Sequence, residues 1–277
     1  MSAIAELSED RLVEGVYAVA RKRRLRARNG NDYLALDLVD PSGSIEGRVW
    51  HDVDLLDSRF AEGDAVRVLG RVERYQNRLQ LEVRAIEATP DADPAALTPA
   101  LRRDADELEG FLDFLAAEIS HGGLRTTVKT VLDGEVRAAM RALPASREAH
   151  HSYAGGLLEH IVGVATICRE LTQLHPRLRP DILMSAALVH DAGRTLELRP
   201  GPGFQPTPEG RLLGHVLLSL RLIQERASEL DAEVLAELLH AVGSHHEVRA
   251  AKTAEAAVLY YANQLDSVAA TRPVGDE

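Results

Sequence analysis

Apolar and polar positions follow one rhythm in the first third of the chain and another in the rest. Up to about residue 88 apolar residues recur at every second position, in short runs separated by turn signals. Val16-Tyr17-Ala18-Val19 leads into a basic run over 21–28. Asn29-Gly30-Asn31-Asp32 then marks a turn, residues 33–39 alternate, and Asp40-Pro41-Ser42-Gly43 turns the chain again. Residues 45–50, 66–72 and 79–83 complete the set, the last two separated by Arg74-Tyr75-Gln76-Asn77. A period of two places successive side chains on opposite faces, so these runs predict five short strands. Beyond residue 105 the apolar spacing lengthens to that of amphipathic helices, as in Leu108, Phe111, Leu112 and Leu115. Helices are predicted over 107–119, 124–143 (one or two), 157–174, about 181–191, 210–227, 231–243 and 254–270. Gly122-Gly123, Gly155-Gly156 and Gly193 punctuate them, Asp181 is a fair N-cap, and the Gly- and Pro-rich stretch 199–210 reads as a loop.

Five short strands with turns at this spacing suit a small Greek-key barrel of the OB type. With 277 residues, two domains are the expectation. The predicted fold class is therefore multidomain α+β: a small N-terminal OB-type β-barrel over 1–90, a Pro- and Asp-rich linker over 91–105, and an all-α helical bundle over 106–277.

Charge narrows the functional classes. The net charge of −11 excludes a protein that coats nucleic acid by bulk electrostatics. Residues 1–90 hold 14 Lys and Arg against 16 Asp and Glu, yet the positive residues cluster. Arg21, Lys22, Arg23, Arg24 and Arg26, with Arg74, are candidate phosphate contacts, and Tyr33, Trp50 and Tyr75 are candidate stacking faces for bases. The plainer alternative is a solvated strand face with Trp50 in the core. One cysteine, Cys168, excludes an intramolecular disulfide and a Cys-based zinc finger, and its apolar mid-helix setting marks it as packing. The acidic first twenty residues do not read as a leader and no apolar run approaches spanning length, so a cytoplasmic protein without membrane contact is expected. A homo-oligomer is compatible with the sequence.

The chemistry concentrates in the helical part. His160 lies near the inward stripe of its helix, His190-Asp191 ends another, and His215 follows Leu212-Leu213-Gly214. His245-His246 ends a further helix, and Asp266 falls on the stripe of Leu259, Ala262 and Leu265. A single buried histidine is more often a hydrogen-bonded core residue than a ligand. Several imidazoles and two aspartates on separate inward faces point to a shared divalent cation instead, because isolated burial would be penalised at each one. Imidazole with carboxylate suits manganese, with Fe, Co, Zn, Ni or Mg also admissible. An adjacent His-Asp pair can serve two ions with the aspartate bridging, an arrangement able to ionise water and clamp an in-line displacement at phosphorus. No Walker-type phosphate loop and no Ser-His-Asp order stands out.

The order His, His-Asp, Asp on successive helices resembles the HD superfamily of metal-dependent phosphohydrolases. Ala142-Leu143-Pro144-Ala145, the run from His150-His151-Ser152-Tyr153 through Gly155-Gly156-Leu157-Leu158-Glu159-His160, Thr207-Pro208-Glu209-Gly210 onward to His215, and Ser244-His245-His246-Glu247 resemble bacterial YhaM-type 3′-to-5′ exoribonucleases. Those proteins also carry an N-terminal OB-fold, which residues 40–50 resemble. The resemblance implies His160, His190, Asp191 and Asp266 around a first metal, and Asp191, His215 and His245 around a second, with His246 a further ligand or phosphate contact. It also implies a place near the scissile phosphate for Arg194, where the family has lysine. Asn263 stands where an aspartate is common, and the segment after Glu247 is shorter than the family's. His150 and His151 match the family but precede the helix, which weighs against a ligand role. His51, His121, His175 and His240 read as ordinary loop, surface or core residues. The expected function is a 3′-to-5′ exonuclease acting on single-stranded RNA or DNA with catalytic Asp191 and Arg194. Its rivals are an HD phosphohydrolase of free nucleotides or cyclic dinucleotides and a non-catalytic nucleic-acid-binding regulator.

Overall fold

A computed structural model describes residues 3–28, 30–228 and 230–271. Asn29 of the expected turn and the outermost residues of both expected domains lie outside these. Two compact units emerge, one of Met1–Ala100 with Pro200–Gln205, the other of Leu101–Arg199 with the chain from Pro206 onward.

In the first unit the described strands are β1 (Leu12–Arg26), β2 (Asp32–Asp40), β3 (Gly43–Val49), β4 (Ala65–Tyr75) and β5 (Arg78–Ala88), with the short helix α1 (Val53–Asp57) between β3 and β4. They close into a barrel in the order β1-β2-β3-β5-β4. Only the β3–β5 pairing is parallel. The alternation seen in the sequence fills the interior: Tyr17, Val19, Leu34, Leu36, Leu38, Val66, Val68 and Leu81 are all buried. β1 is long enough to serve two neighbours, pairing with β4 up to Ala18 and with β2 beyond it, with an irregularity between Val19 and Arg21. The Asp40-Pro41-Ser42-Gly43 turn is locked by the buried Asp40 carboxylate. It accepts from the backbone of Ile4 (2.8 Å), Ser42 (2.7 Å) and Gly43 (3.1 Å) and from the Ser42 hydroxyl (2.6 Å).

The second unit is helical: α2 (Ala105–Ala117), α3 (Gly122–Val131), α4 (Gly134–Ala142), α5 (Gly156–Leu174), α6 (Pro180–Val189), α7 (Arg194–Glu197), α8 (Pro208–Arg226), α9 (Ala232–Gly243) and α10 (Ala254–Thr271). The predicted stretch 124–143 divides at Leu132, where Asp133 caps α4 by accepting from Val136 N. α6 is buried over Ile182–Val189 and forms the centre, packed against α5, α9, α3 and α10. Its start departs from expectation. Pro180 occupies the first turn, where its missing N–H costs nothing, so Arg179 takes the cap position. The Asp181 carboxylate instead accepts from Ser120 N (2.7 Å) and His121 N (3.1 Å) ahead of α3. No described helix is long and apolar enough to cross a membrane.

One glycine in the barrel tests this packing. A Cβ on Gly70 would lie 2.5 Å from Glu82 O, where the β4–β5 register shifts. Gly70→Ala is expected to cost about 1–3 kcal/mol by overpacking, measured as a lower urea midpoint, with metal content per folded chain unchanged.

Candidate metal centre

Three local features bring the histidines together. Gly155-Gly156 opens α5 with Gly155 at φ 84°, and a Cβ on Gly156 would sit 2.1 Å from His151 O. Residues 150–154 can therefore fold back against the start of α5, which carries His160 one turn in. At the end of α6, a Cβ on Gly193 would meet His215 O and Ser219 N at 2.3 Å, so α8 crosses directly over the chain after Asp191. Gly193 N donates to Ser219 Oγ at 2.8 Å in that crossing. α8 itself breaks at Gly214, whose φ of 68° and ψ of 163° restart the helix at His215.

Asp191 is the hub. It is only 2% exposed, and its two carboxylate oxygens face different ligand pairs. Oδ1 lies 3.4 Å from His215 Nε2 and 3.5 Å from His245 Nε2. Oδ2 lies 4.0 Å from both His160 Nε2 and His190 Nε2, which are 3.3 Å from each other. Donor atoms bound at about 2.1 Å with angles between 90° and 109° stand about 3.0–3.4 Å apart, which the 3.3–3.5 Å separations approach and the two 4.0 Å separations exceed. Asp191 Oδ1 and His245 Nε2 are buried without a hydrogen-bond partner among the described residues, an arrangement that a cation would complete. The residues fit divalent ions. His160, His190 and Asp191 make one candidate set, Asp191, His215, His245 and His246 a second, and His151, His160 and Asp266 a third. His246 Nε2 is 2.8 Å from His215 Nε2, at the exposed rim.

Ring orientation is set from the far side. His190 Nδ1 lies 2.8 Å from Ala187 O and His245 Nδ1 2.5 Å from Val242 O, contacts that commit Nδ1 as donor and leave Nε2 as the ligand atom. Burial holds His190 well below its usual pKa, in the neutral form that a metal requires. Burial opposes the charge on Asp191, but Arg194, His215 and His190 hold its carboxyl well below the usual range. Arg194, the expected phosphate contact, spends its guanidinium on Asp191 Oδ2 (3.3 Å) and Glu197 Oε2 (2.9 Å).

The second aspartate sits differently. Asp266 Oδ2 is 2.7 Å from His160 Nδ1 and 2.9 Å from His151 Nε2. His151 Nδ1 in turn meets the Tyr153 hydroxyl at 2.7 Å, and that hydroxyl donates to Glu159 Oε2 at 2.6 Å. Desolvation disfavours charge on His151, yet its contacts with Asp266 and Glu159 push it up to about 9. His150, whose ring centroid is 4.9 Å from that of His160, is pushed down to about 4 by burial and by His160 and His151. Tyr153 and Glu159 in this arm, and Glu197 beside Arg194, had no spacing signal; the Gly155-Gly156 turn is the hint that His151 can reach the centre.

The barrel separates the residues proposed to hold nucleic acid. β1 alternates, so Arg21 and Arg23 pair across to Asp37 and Ala35 on the outer face, where Leu25 stands opposite Tyr33. Tyr33 stacks on Trp50 with centroids 4.6 Å apart, and Arg48, which sequence reasoning did not single out, lies over the Tyr33 ring at 5.1 Å. Trp50 is 42% exposed rather than in the core. The intervening Lys22 and Arg24 point toward α1, where Lys22 pairs with Asp57 (2.9 Å) and Arg24 with Asp32 and Asp54 (both 2.7 Å). Arg21 pairs with Asp37 at 3.8 Å, and Arg26 donates to Gly30 O. Arg74 and Tyr75 form the β4–β5 tip, Arg74 held by Glu9 at 2.8 Å.

With this geometry in hand, comparisons place both units. Residues 157–268 match the family model of the HD domain, a span that encloses His160, His190-Asp191, His215, His245 and Asp266. Residues 16–89 match a model described as an OB-fold nucleic acid binding domain. The chain carries an OB-fold followed by an HD domain. Residues 116–176 also match a model described as a putative helicase. Among solved structures, the chain is similar to the second OB-fold domain of replication protein A from Methanococcus maripaludis. That likeness has 24% identity, covers 33% of this chain and 96% of the other, and has a TM-score of 0.27. A crystal structure of a replication protein A domain from the same organism has 26% identity over 32% of this chain and 94% of the other, at a TM-score of 0.28. A replication protein A heterotrimer bound to ssDNA has 25% identity, over 32% of this chain and 64% of that one, at a TM-score of 0.25. The HD domain and its His/Asp cluster indicate a metal-dependent phosphohydrolase.

A metal that binds the folded state alone stabilises it by about 2.7 kcal/mol at a hundred times its dissociation constant. Chelator-stripped protein is therefore expected to melt several degrees higher when manganese is returned. Asp191→Asn, which removes the carboxylate charge and turns one ligand oxygen into an amide NH2, is expected to abolish that rise in a thermal melt.

Proposed function

We propose that this protein is a metal-dependent 3′-to-5′ exonuclease of the YhaM type, acting on single-stranded RNA and, secondarily, single-stranded DNA. The barrel of 1–90 holds the strand, 91–105 links, and the helical domain of 106–277 cleaves. The observation that carries the reading is the Asp191 carboxylate, which offers one oxygen to the His160/His190 pair and the other to the His215/His245 pair. One carboxylate between two imidazole pairs is the donor layout of a two-ion phosphoesterase.

Divalent ions held there, manganese foremost, would supply water ionised near neutral pH and positive charge against the scissile phosphate. The chain's own residues account for the rest. Asp191 stays ionised because Arg194 lies beside it, and Glu197 keeps the Arg194 fork in place. His190, which burial holds in the neutral form, offers a nitrogen lone pair without adding charge. In hydrolysis of the terminal linkage, the water oxygen bonds to phosphorus and the bond to the 3′ oxygen of the neighbouring nucleotide breaks. That oxygen leaves with a proton, giving a nucleoside 5′-monophosphate and a shortened strand with a free 3′ hydroxyl. His246 at the exposed rim and Arg194, held by Asp191 and Glu197, are the candidate phosphate contacts.

The substrate half of the reading draws on the barrel. Stacking is worth about 1–3 kcal/mol per base and tolerates any sequence, as a processive exonuclease requires. Exposed Trp50, stacked on half-buried Tyr33 with Arg48 over the Tyr33 ring, supplies such a surface.

End-labelled single-stranded RNA and DNA, incubated with the protein and manganese, magnesium, cobalt or zinc, test the reaction directly. A one-nucleotide ladder from the 3′ end with 5′-monophosphate product is expected. Turnover of free nucleotides or cyclic dinucleotides with the oligonucleotides intact would overturn the reading. Trp50→Ala is expected to weaken oligonucleotide binding in fluorescence anisotropy by 5- to 100-fold while hydrolysis of a small chromogenic phosphodiester is unchanged.

A further inference from the structure

Three buried imidazoles of the centre obey one rule, and the exception within it identifies the role of Asp266. His190, His245 and His160 each place Nδ1 against an oxygen and turn Nε2 toward Asp191 or its partners. For His190 and His245 that oxygen is the carbonyl three residues earlier, Ala187 O and Val242 O. Both histidines stand where α6 and α9 end, and the last carbonyls of a helix have no partner within it. His160 lies inside α5, where the neighbouring carbonyls already accept from the helix's own N–H groups. It needs an acceptor from another element, and Asp266 on α10 provides one at 2.7 Å.

We propose that Asp266 is a positioning residue and not a metal ligand: its carboxylate holds the His160 ring so that Nε2 faces the ions, with Gly163 and His151 seating that carboxylate. This rests on the metal-centre reading above and corrects the ligand role that the sequence resemblance implies. Three observations support it. The 2.7 Å separation is a hydrogen-bond length, shorter than the spacing of about 3.0–3.4 Å between donors that share an ion. Both ring nitrogens of His151 are engaged, one by Asp266 and one by Tyr153, so His151 has no lone pair to bring to an ion alongside Asp266. Finally, α5 makes room for this carboxylate with a glycine. A Cβ on Gly163 would lie 2.3 Å from Asp266 Oδ1. Gly163 is one turn beyond His160, so the residue that seats the acceptor and the ring that uses it share a helix face.

The test uses the full chain. Bound manganese per chain is counted after dialysis, and affinity is measured by competition with a fluorescent chelator. The His160 tautomer is read from nitrogen-15 histidine spectra of the zinc-loaded protein. The wild type is expected to show His160 protonated at Nδ1 alone. Asp266→Ala should keep the wild-type number of ions but bind them 10- to 100-fold more weakly, with the His160 tautomer no longer fixed. Asp266→Asn, whose amide oxygen can still accept from Nδ1, should recover most of that affinity, and Gly163→Ala should weaken binding as Asp266→Ala does. Asp191→Asn should lose ions outright. The proposal is overturned if Asp266→Asn drops one ion per chain, if Asp266→Ala changes neither affinity nor tautomer, or if wild-type His160 carries its proton on Nε2. That last readout needs no variant to fold. A wild type that binds no ion at all would sink the metal-centre reading itself, and the proposal with it.

Discussion

An ionised carboxylate in the middle of a helical domain is the constraint to which the second unit answers. Asp191 is almost fully buried, and moving such a charge out of water costs several kcal/mol even after the surroundings relax. Arg194 offsets part of this, but Arg194 also answers to Glu197, so the pair of acids outweighs the one guanidinium. His215 and His190 help to hold Asp191 ionised, but burial keeps His190 itself below its usual pKa, so the compensation is partial. What remains is an Oδ1 without a hydrogen-bond partner among the described residues, facing two Nε2 atoms, a local demand for positive charge that divalent ions would meet. Glycine at 193 follows from the same demand, because α8 must pass close enough to bring His215 to Asp191.

The ring orientations then follow from where each histidine falls on its helix. At a helix end the spare carbonyls fix Nδ1 at no additional cost, which is why His190 and His245 need no side-chain partner. In mid-helix that supply is absent, and an extra layer is required: Asp266, then His151, then Tyr153 and Glu159. One ligand position thus draws in residues from the loop before α5 and from α10. This polar chain orients the one buried imidazole of the three that lies in mid-helix.

Much of this was legible in the sequence, and the reasons for what was not are physical. Period-two runs found the strands because one face of each is buried, and the histidines could be grouped because each lies near an apolar stripe. The role of Asp266 was not legible. Its place on the inward face of α10 says that a partner is needed but not whether the partner is an ion or an imidazole. His151 was discounted because it precedes α5, although the Gly155-Gly156 turn brings it back. Asp181 read as a cap by residue type, whereas Pro180 moved the cap back by one and freed the carboxylate for the turn before α3.

The basic run of β1 shows the same limit from the other side. A cluster in sequence becomes two half-clusters on a strand, because alternation sends Arg21 and Arg23 one way and Lys22 and Arg24 the other. Lys22 and Arg24 are then matched by the acids of α1, and Arg21 by Asp37, so little net positive field is left. Surface pairs of this kind are worth about 0–1 kcal/mol, weak enough for a phosphate to replace the acid, but such exchange adds little binding because one anion takes the place of another. The Tyr33–Trp50 stack, with Trp50 exposed and Tyr33 half-buried, bears no such penalty: its rings are already held by Arg48 and by each other, and a base covering Trp50 would remove apolar surface from water. On this barrel the aromatic pair, more than the arginine run, is where the proposed affinity for a single strand would have a physical source.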